Sequence, residues 1–279
     1  MRLVRDFLKN CIPPIVLRAM WSMSGKHIQF EGDYVSWEMA SKKCSGYDAE
    51  HIVNKVLDAT LKVKEGEAVF ERDSVLFDEI QYAWQVVAGL MWVAARNRGN
   101  LKVLDFGGAL GSSYFQYRKF LQGLSEVQWN VVEQMHYVLV GQEHIQDNCL
   151  RFYPTIDACF AENQPNVVLF SGVLQYLPEP YIFLEQLIIR QPDYIIIDRT
   201  PFIDEGDTVL TLQKVPKEIV DSNYPVWLFN ESEFKHLFSK NYSEIATFDA
   251  IDGTIGHGRL KANFKGVMYK SVKEKQDNI

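Results

Sequence analysis

Two carboxylates and a cluster of small residues are the groups in this chain best spaced to do chemistry together. Asp105 nearly closes the apolar run Leu101-Lys102-Val103-Leu104-Asp105-Phe106, and Gly107, Gly108, Ala109, Leu110 and Gly111 follow at once. Glu133 closes a second run, Gln128-Trp129-Asn130-Val131-Val132. A carboxylate offers two acceptor oxygens side by side, which suits the two hydroxyls of a ribose. A glycine turn between a strand and a helix brings backbone N–H groups close to a ligand, and Ser112 is able to cap the helix that opens there. Separately, the turn reads as a tight connection and Glu133 as a surface acid at a strand end. Together in one strand–helix–strand unit they favour a nucleoside site.

The glycine spacing narrows the ligand. A dinucleotide fingerprint needs glycines at relative positions one, three and six. From Gly107 those places hold Gly107, Ala109 and Ser112, and from Gly108 they hold Gly108, Leu110 and Ser113, so neither register fits. The pattern that does fit is an acid followed by small residues at every second place: Asp105, Gly107, Ala109, Gly111. A further strand, Asn166–Ser171, ends in Ser171-Gly172, which leaves room for a ligand at its carboxyl end.

These residues need elements to position them. From Leu101 onward strand and helix patterns alternate, the mark of a parallel α/β sheet. Strands are expected at 101–106, 128–133, about 150–153, 166–171 and 193–198, with helices at 112–123, after Glu133 and at 178–190. Residues 1–98 read as helical, with Gly99-Asn100 as the boundary, so the division expected is 1–98 and 99–279. The segment 200–230 is long and holds Pro201, Pro216 and Pro225, which reads as a lid or binding loop. A helix at 231–239 and two strands, 242–249 and 263–270, joined by a glycine-rich turn suggest an antiparallel hairpin at the sheet edge.

Bulk properties exclude other classes. The 279 residues are 47% hydrophobic and 23% charged, as in ordinary globular proteins, and the net charge of −7 gives no broad basic face for nucleic acid. Cys11, Cys44, Cys149 and Cys159 form no C-x-x-C pair, so no metal site is expected and free thiols in a reducing cytoplasm are. No run reaches the length of a membrane span. Residues 1–21 carry four cations among apolar residues, which fits a docked helix or a weak membrane-surface contact.

The motifs resemble a family. Asp105-Phe-Gly-Gly108, Val131-Val-Glu133 and Ser171-Gly-Val-Leu-Gln-Tyr-Leu177 look like the cofactor-binding motifs of class I S-adenosylmethionine-dependent methyltransferases. With Ile197-Asp-Arg-Thr-Pro-Phe202 and Tyr224-Pro-Val-Trp227 they are most similar to a family of bacterial methyltransferases often associated with surface-polysaccharide gene clusters. Gly46-Tyr47-Asp48 and Glu71-Arg72-Asp73 extend the likeness toward the N-terminus.

The resemblance implies a Rossmann-like seven-stranded sheet with the last strand antiparallel, preceded by a helical N-terminal region covering the active site. It implies S-adenosylmethionine as cofactor, with Asp105, Gly107, Gly108 and Gly111 beside its methionine part, Glu133 on the ribose, Gln134 and Met135 beside adenine, and Ser171, Gly172 and Val173 as the floor near the methyl group. The acceptor implied is a small molecule such as a nucleotide- or lipid-linked sugar. A hydroxyl acceptor benefits from a general base. His257 and Asp198 are the candidates, although His257 also fits a solvated turn. Arg199 suits an anionic substrate, or else pairs with Asp198. Tyr224 and Trp227 either stack on a sugar or form local core. The alternatives are a non-catalytic protein that keeps the fold, and a nicotinamide-dependent enzyme, against which the glycine spacing speaks.

Overall fold

A computed structural model describes residues 29–44, 49–72, 74–214, 223–257 and 260–272. The expectations for residues 1–21, for Gly46-Tyr47-Asp48 and for Asp73 lie outside these. The chain forms two compact units, one drawing on residues up to Tyr47 with Leu210–Val226, the other on Asp48–Val209 with Trp227–Ile279.

In the first unit, strand β1 (Gln29–Glu31) runs antiparallel to β9 (Val209–Lys214), with Phe30 opposite Gln213. A one-turn helix α1 (Trp37–Ser41) follows, its Met39 N–H capped by the Ser36 hydroxyl at 3.3 Å.

The second unit holds the sheet. Before it come helix α2 (Ala49–Glu65), the hairpin β2 (Phe70–Arg72) and β3 (Val75–Phe77), and helix α3 (Trp84–Arg96). Then β4 (Asn100–Phe106), α4 (Ser112–Leu121), β5 (Glu126–Val132), α5 (Met135–Val140), β6 (Leu150–Tyr153), α6 (Ile156–Glu162), β7 (Val167–Ser171), α7 (Pro180–Arg190) and β8 (Tyr194–Ile203) alternate. After β9 and β10 (Asn223–Asn230) come α8 (Glu231–Phe238), β11 (Tyr242–His257) and β12 (Leu260–Ser271). The strands pair in the order β6-β5-β4-β7-β8-β12-β11. The first five are parallel, whereas β12 is antiparallel to both β8 and β11. This is the Rossmann-like sheet expected from the motifs, with the last strand antiparallel. Beyond it, the tip of β10 pairs with the end of β8, Phe229 opposite Phe202.

Helices cover both faces, so the central strands are buried on both sides and read as continuous apolar runs. One face carries Leu101, Val103, Val167, Leu169, Tyr194 and Ile196 against α2 to α5. The other carries Leu104, Val168, Phe170, Ile195 and Ile197 against α6 to α8. The chain leaves β4 toward β5 on one side, while β7 lies on the other. The order therefore reverses beside β4, and a crevice opens at the strands' carboxyl ends at such a reversal.

Two expectations are corrected. Residues 1–98 are not uniformly helical: β1 and the β2–β3 hairpin interrupt them, and the last helix before Gly99 begins only at Trp84. The hairpin turns at Ser74, whose φ is 64°, and its Phe70 and Phe77 rings sit 5.7 Å apart across the pair. The segment 200–230 is largely strand rather than lid. Pro201 lies inside β8 opposite Phe264, and Leu210–Gln213 are all buried, so no alternation announced the strand. The edge hairpin is also longer than expected, reaching His257 opposite Leu260.

Candidate functional site

Asp105 sits one residue before the end of β4 and is 1% exposed. It accepts a hydrogen bond of 2.9 Å from the Trp129 indole N–H on β5. Burial pushes its carboxyl up to about 7, against the Trp129 bond, and the Glu133 charge adds to the rise. The turn after it is built around this group. A Cβ on Gly108 would lie 2.5 Å from Asp105 Oδ2, so only glycine passes there. Gly107 has φ +71° and would bring a Cβ to 2.4 Å from Val173 Cγ2, which locks the β4 turn to the β7 turn. Gly111, at φ +91°, is the N-cap of α4 and faces Leu150. Ala109 takes φ 50°, a region alanine disfavours.

Glu133 follows β5 and accepts the Gln134 backbone N–H at 2.7 Å. The Gly107 N–H donates to the Val132 carbonyl at 2.9 Å, which ties the glycine turn to the end of β5 just before the second acid. Burial pushes the Glu133 carboxyl up, while the Gln134 and Ala109 N–H groups and His136 hold it down. Gln134 and Met135 are exposed, and Gln134 contributes its backbone rather than its side chain. Beside the tips of β4 and β5 a cleft of about 290 Å³ is lined by Phe106, Val132, Pro154, Thr155, Ile156 and Phe183, among others.

The tip of β7 and the middle of β8 beside it carry the next group. Ser171 donates to Asp198 Oδ2 at 3.3 Å, and the Gly172 N–H donates to the Asp198 carbonyl at 3.0 Å. Asp198 is 2% exposed. Burial pushes its carboxyl up to about 6, Arg199 lowers it, and Asp252 raises it. Arg199 pairs with Asp252, through Nε–Oδ2 at 2.9 Å and Nη2–Oδ1 at 3.2 Å. Asp252 reaches it because the β11–β12 register breaks between Asp249 and Thr254. The Arg199 guanidinium lies over Gly172, 3.4 Å from where a Cβ would be, and its backbone is left-handed at φ 53°. Buried Gln175 donates to the Arg199 carbonyl at 3.2 Å.

Trp129 and Asp252 are participants that sequence reasoning missed, and Glu71, singled out only as part of the charged run Glu71-Arg72-Asp73, joins them. Glu71 is 1% exposed and accepts the Ser112 hydroxyl at the head of α4. Only the Trp129–Asp105 pairing had a signal: an indole and an acid on adjacent parallel runs. Trp227 donates its indole N–H to the Leu177 carbonyl at 3.0 Å, and Tyr224 belongs to the other compact unit. His257 ends β11, and its side chain lies outside the described residues. Among the described residues no helix is long and apolar enough to cross a membrane, and no group of acids, histidines and cysteines is placed to hold a metal.

No protein-family model and no curated protein matches the chain. Among solved structures, it is similar to the N-terminal domain of EvdMO1 in the presence of SAH and D-fucose, with 13% identity over 81% of this chain and 97% of that one and a TM-score of 0.44. The Burkholderia thailandensis 1,6-didemethyltoxoflavin-N1-methyltransferase with bound S-adenosylhomocysteine is 13% identical over 82% and 93%, with a TM-score of 0.37. Magnesium protoporphyrin IX methyltransferase from Synechocystis PCC 6803 with bound SAM is 14% identical over 80% and 98%, with a TM-score of 0.39. At such distances the strand order and register, not these neighbours, establish the Rossmann-like α/β fold of this chain.

Proposed function

We propose that this protein is an S-adenosylmethionine-dependent methyltransferase acting on a small molecule. The observation that carries the reading is the packing of the turn over Asp105: Gly108 roofs the carboxyl, Gly107 packs on Val173, and the Gly107 N–H donates to the Val132 carbonyl at 2.9 Å, one residue before Glu133. That cradle excludes a side chain at two glycines and leaves a carboxylate at each of two neighbouring strand tips, which fits a cationic adenosyl ligand. Asp105, Gly107, Gly108 and Gly111 would border the methionine part, and Glu133 the ribose. The apolar cleft on Phe106, Val132 and Phe183 suits adenine. When bound, the cofactor supplies an electrophilic methyl group.

The protein's own contribution is position and proton transfer. Ser171, Gly172 and Val173 would form the floor under the acceptor, and Arg199, oriented by Asp252, would hold one of its polar groups. An in-line approach in a dry site gives most of the acceleration. Asp198, joined to Ser171, would take the proton from an acceptor hydroxyl as the methyl group arrives; His257 is the second candidate base. A sugar or glycan precursor is the proposed acceptor, on the strength of the motif resemblance.

Two results test this. Tritium from methyl-labelled cofactor should enter a small-molecule fraction of a cell extract, and a protein that binds the cofactor without transferring label is the non-catalytic alternative. The base must be ionised to act, and the Asp198 carboxyl is raised to about 6. Transfer should therefore rise with pH through a midpoint near 6, and Asp198→Asn should lower the plateau by roughly 10²–10⁴-fold. A pH profile with the same midpoint in the Asn variant would remove Asp198 from the role.

A further inference from the structure

We propose that the β2–β3 hairpin reads the amino-acid end of the cofactor, with the Arg72 guanidinium pairing with its α-carboxylate. This rests on the cofactor reading above and adds a residue from outside the sheet. The carboxyl ends of the central strands are acid-rich: Asp105 and Glu133 lie at the ends of β4 and β5, and Asp198 lies in β8 beside the end of β7. They suit a ribose and a sulfonium, yet S-adenosylmethionine also carries a carboxylate, which needs a cation or several N–H donors.

The nearby cations divide clearly. Arg199 spends Nε and Nη2 on Asp252. Arg118 donates to the Val63 carbonyl at 3.4 Å, and Lys64 to the carbonyls of His144 and Ile145 at 2.9 and 3.0 Å. Arg72 differs. Its guanidinium lies 5.7 Å over the Phe77 ring and has no ion-pair or hydrogen-bond partner among the described residues. It is half-buried, so its charge is partly withdrawn from water.

Position agrees with this. The preceding residue, Glu71, is tied to Ser112, the first residue of α4 after the glycine turn, so the hairpin is anchored at that turn. The buried Tyr117 phenol, on α4, lies within electrostatic reach of Asp198, Asp105, Arg199 and Arg72, so Arg72 acts on the same neighbourhood as Asp105 and Asp198. The N-cap of α4, Gly111, makes no side-chain cap, so no side chain of its own competes for an anion there. Glu71 is thus a positioning residue and Arg72 the binding one.

The experiment is calorimetric titration of the full chain with three compounds. S-adenosylhomocysteine has both charged groups of the amino-acid end, S-adenosyl-3-thiopropylamine lacks the carboxylate, and 5′-methylthioadenosine lacks both. The wild type should bind the first about tenfold or more tightly than the second. Arg72→Gln should erase that difference and leave 5′-methylthioadenosine within twofold of wild type, and Arg72→Lys, which keeps a charge but not the fork, should fall between. Equal losses for all three compounds would make the hairpin structural and overturn the assignment. Unchanged S-adenosylhomocysteine affinity in Arg72→Gln would also overturn it. A wild type that binds none of the three sinks the cofactor reading itself, a separate result.

Discussion

Asp105→Asn is expected to raise the melting temperature of the unliganded protein at pH 8 and to remove most of its response to S-adenosylhomocysteine. The carboxyl is completely buried, and its pKa is raised from 3.8 to about 7. A carboxyl raised on folding is more comfortable neutral in the folded state. Its penalty is absent below pH 3.8, grows as pH rises toward 7, and is fully present above. Asn is neutral throughout and keeps an oxygen to accept the Trp129 N–H. The gain should be on the order of 2–4 kcal/mol at pH 8 and fade toward pH 4. Affinity for the ligand should fall by about tenfold to a hundredfold, since a buried charged hydrogen bond is lost. Melts at pH 5 and pH 8, with and without ligand, check both halves. A variant less stable than wild type at pH 8 would show that the carboxylate is solvated or paired after all.

Gly107→Ala should be the most damaging single methyl group added to the turn. Its φ of +71° strains any L side chain, and the new Cβ would meet Val173 Cγ2 at 2.4 Å. Left-handed strain costs alanine about 1–2 kcal/mol and overpacking typically adds about 1–3, so a loss of roughly 2–5 kcal/mol is expected. That is a large share of the roughly 5–15 kcal/mol that holds a domain folded. Gly66→Ala serves as the control. Gly66 has φ +83° but nothing within 4 Å, so only the backbone strain should appear. Adding Val173→Ala to Gly107→Ala should recover part of the loss, because the clash is with that side chain. Urea denaturation of the four proteins gives the comparison, and equal losses at Gly66 and Gly107 would deny the close contact between the two turns.

The parallel strands were legible because helices cover both faces. Leu101–Phe106, Val167–Ser171 and Tyr194–Asp198 are apolar without alternation, and their glycine or Ser-Gly endings mark the carboxyl edge. The edge hairpin was legible from its turn residues. The β2–β3 pair was not, since each strand is three residues long and Glu71-Arg72 reads as solvated charge. The contact with Ser112, far along the chain, is what holds the buried Glu71 carboxylate to the head of α4. β9 and β10 escaped for a different reason: prolines at 201 and 225 looked like loop punctuation, although both sit in strands. Within the site, the acids and glycines were found from spacing, whereas Asp252 was not. Its place opposite Arg199 comes from a register break that no local pattern announces. Sequence offered only the neighbouring Asp198 as a partner for Arg199, whose charge does lower the Asp198 carboxyl, whereas the pair with Asp252 is long-range.

Glu133 gives the most direct measurement of the central claim. In calorimetric titrations with S-adenosylhomocysteine, the wild type should bind one equivalent, and Glu133→Ala should bind at least about tenfold more weakly, as the carboxylate's bonds to two ribose hydroxyls are lost. Absence of binding by the wild type, or the same affinity in both proteins, would contradict the assignment of these two strand tips to an adenosyl ligand.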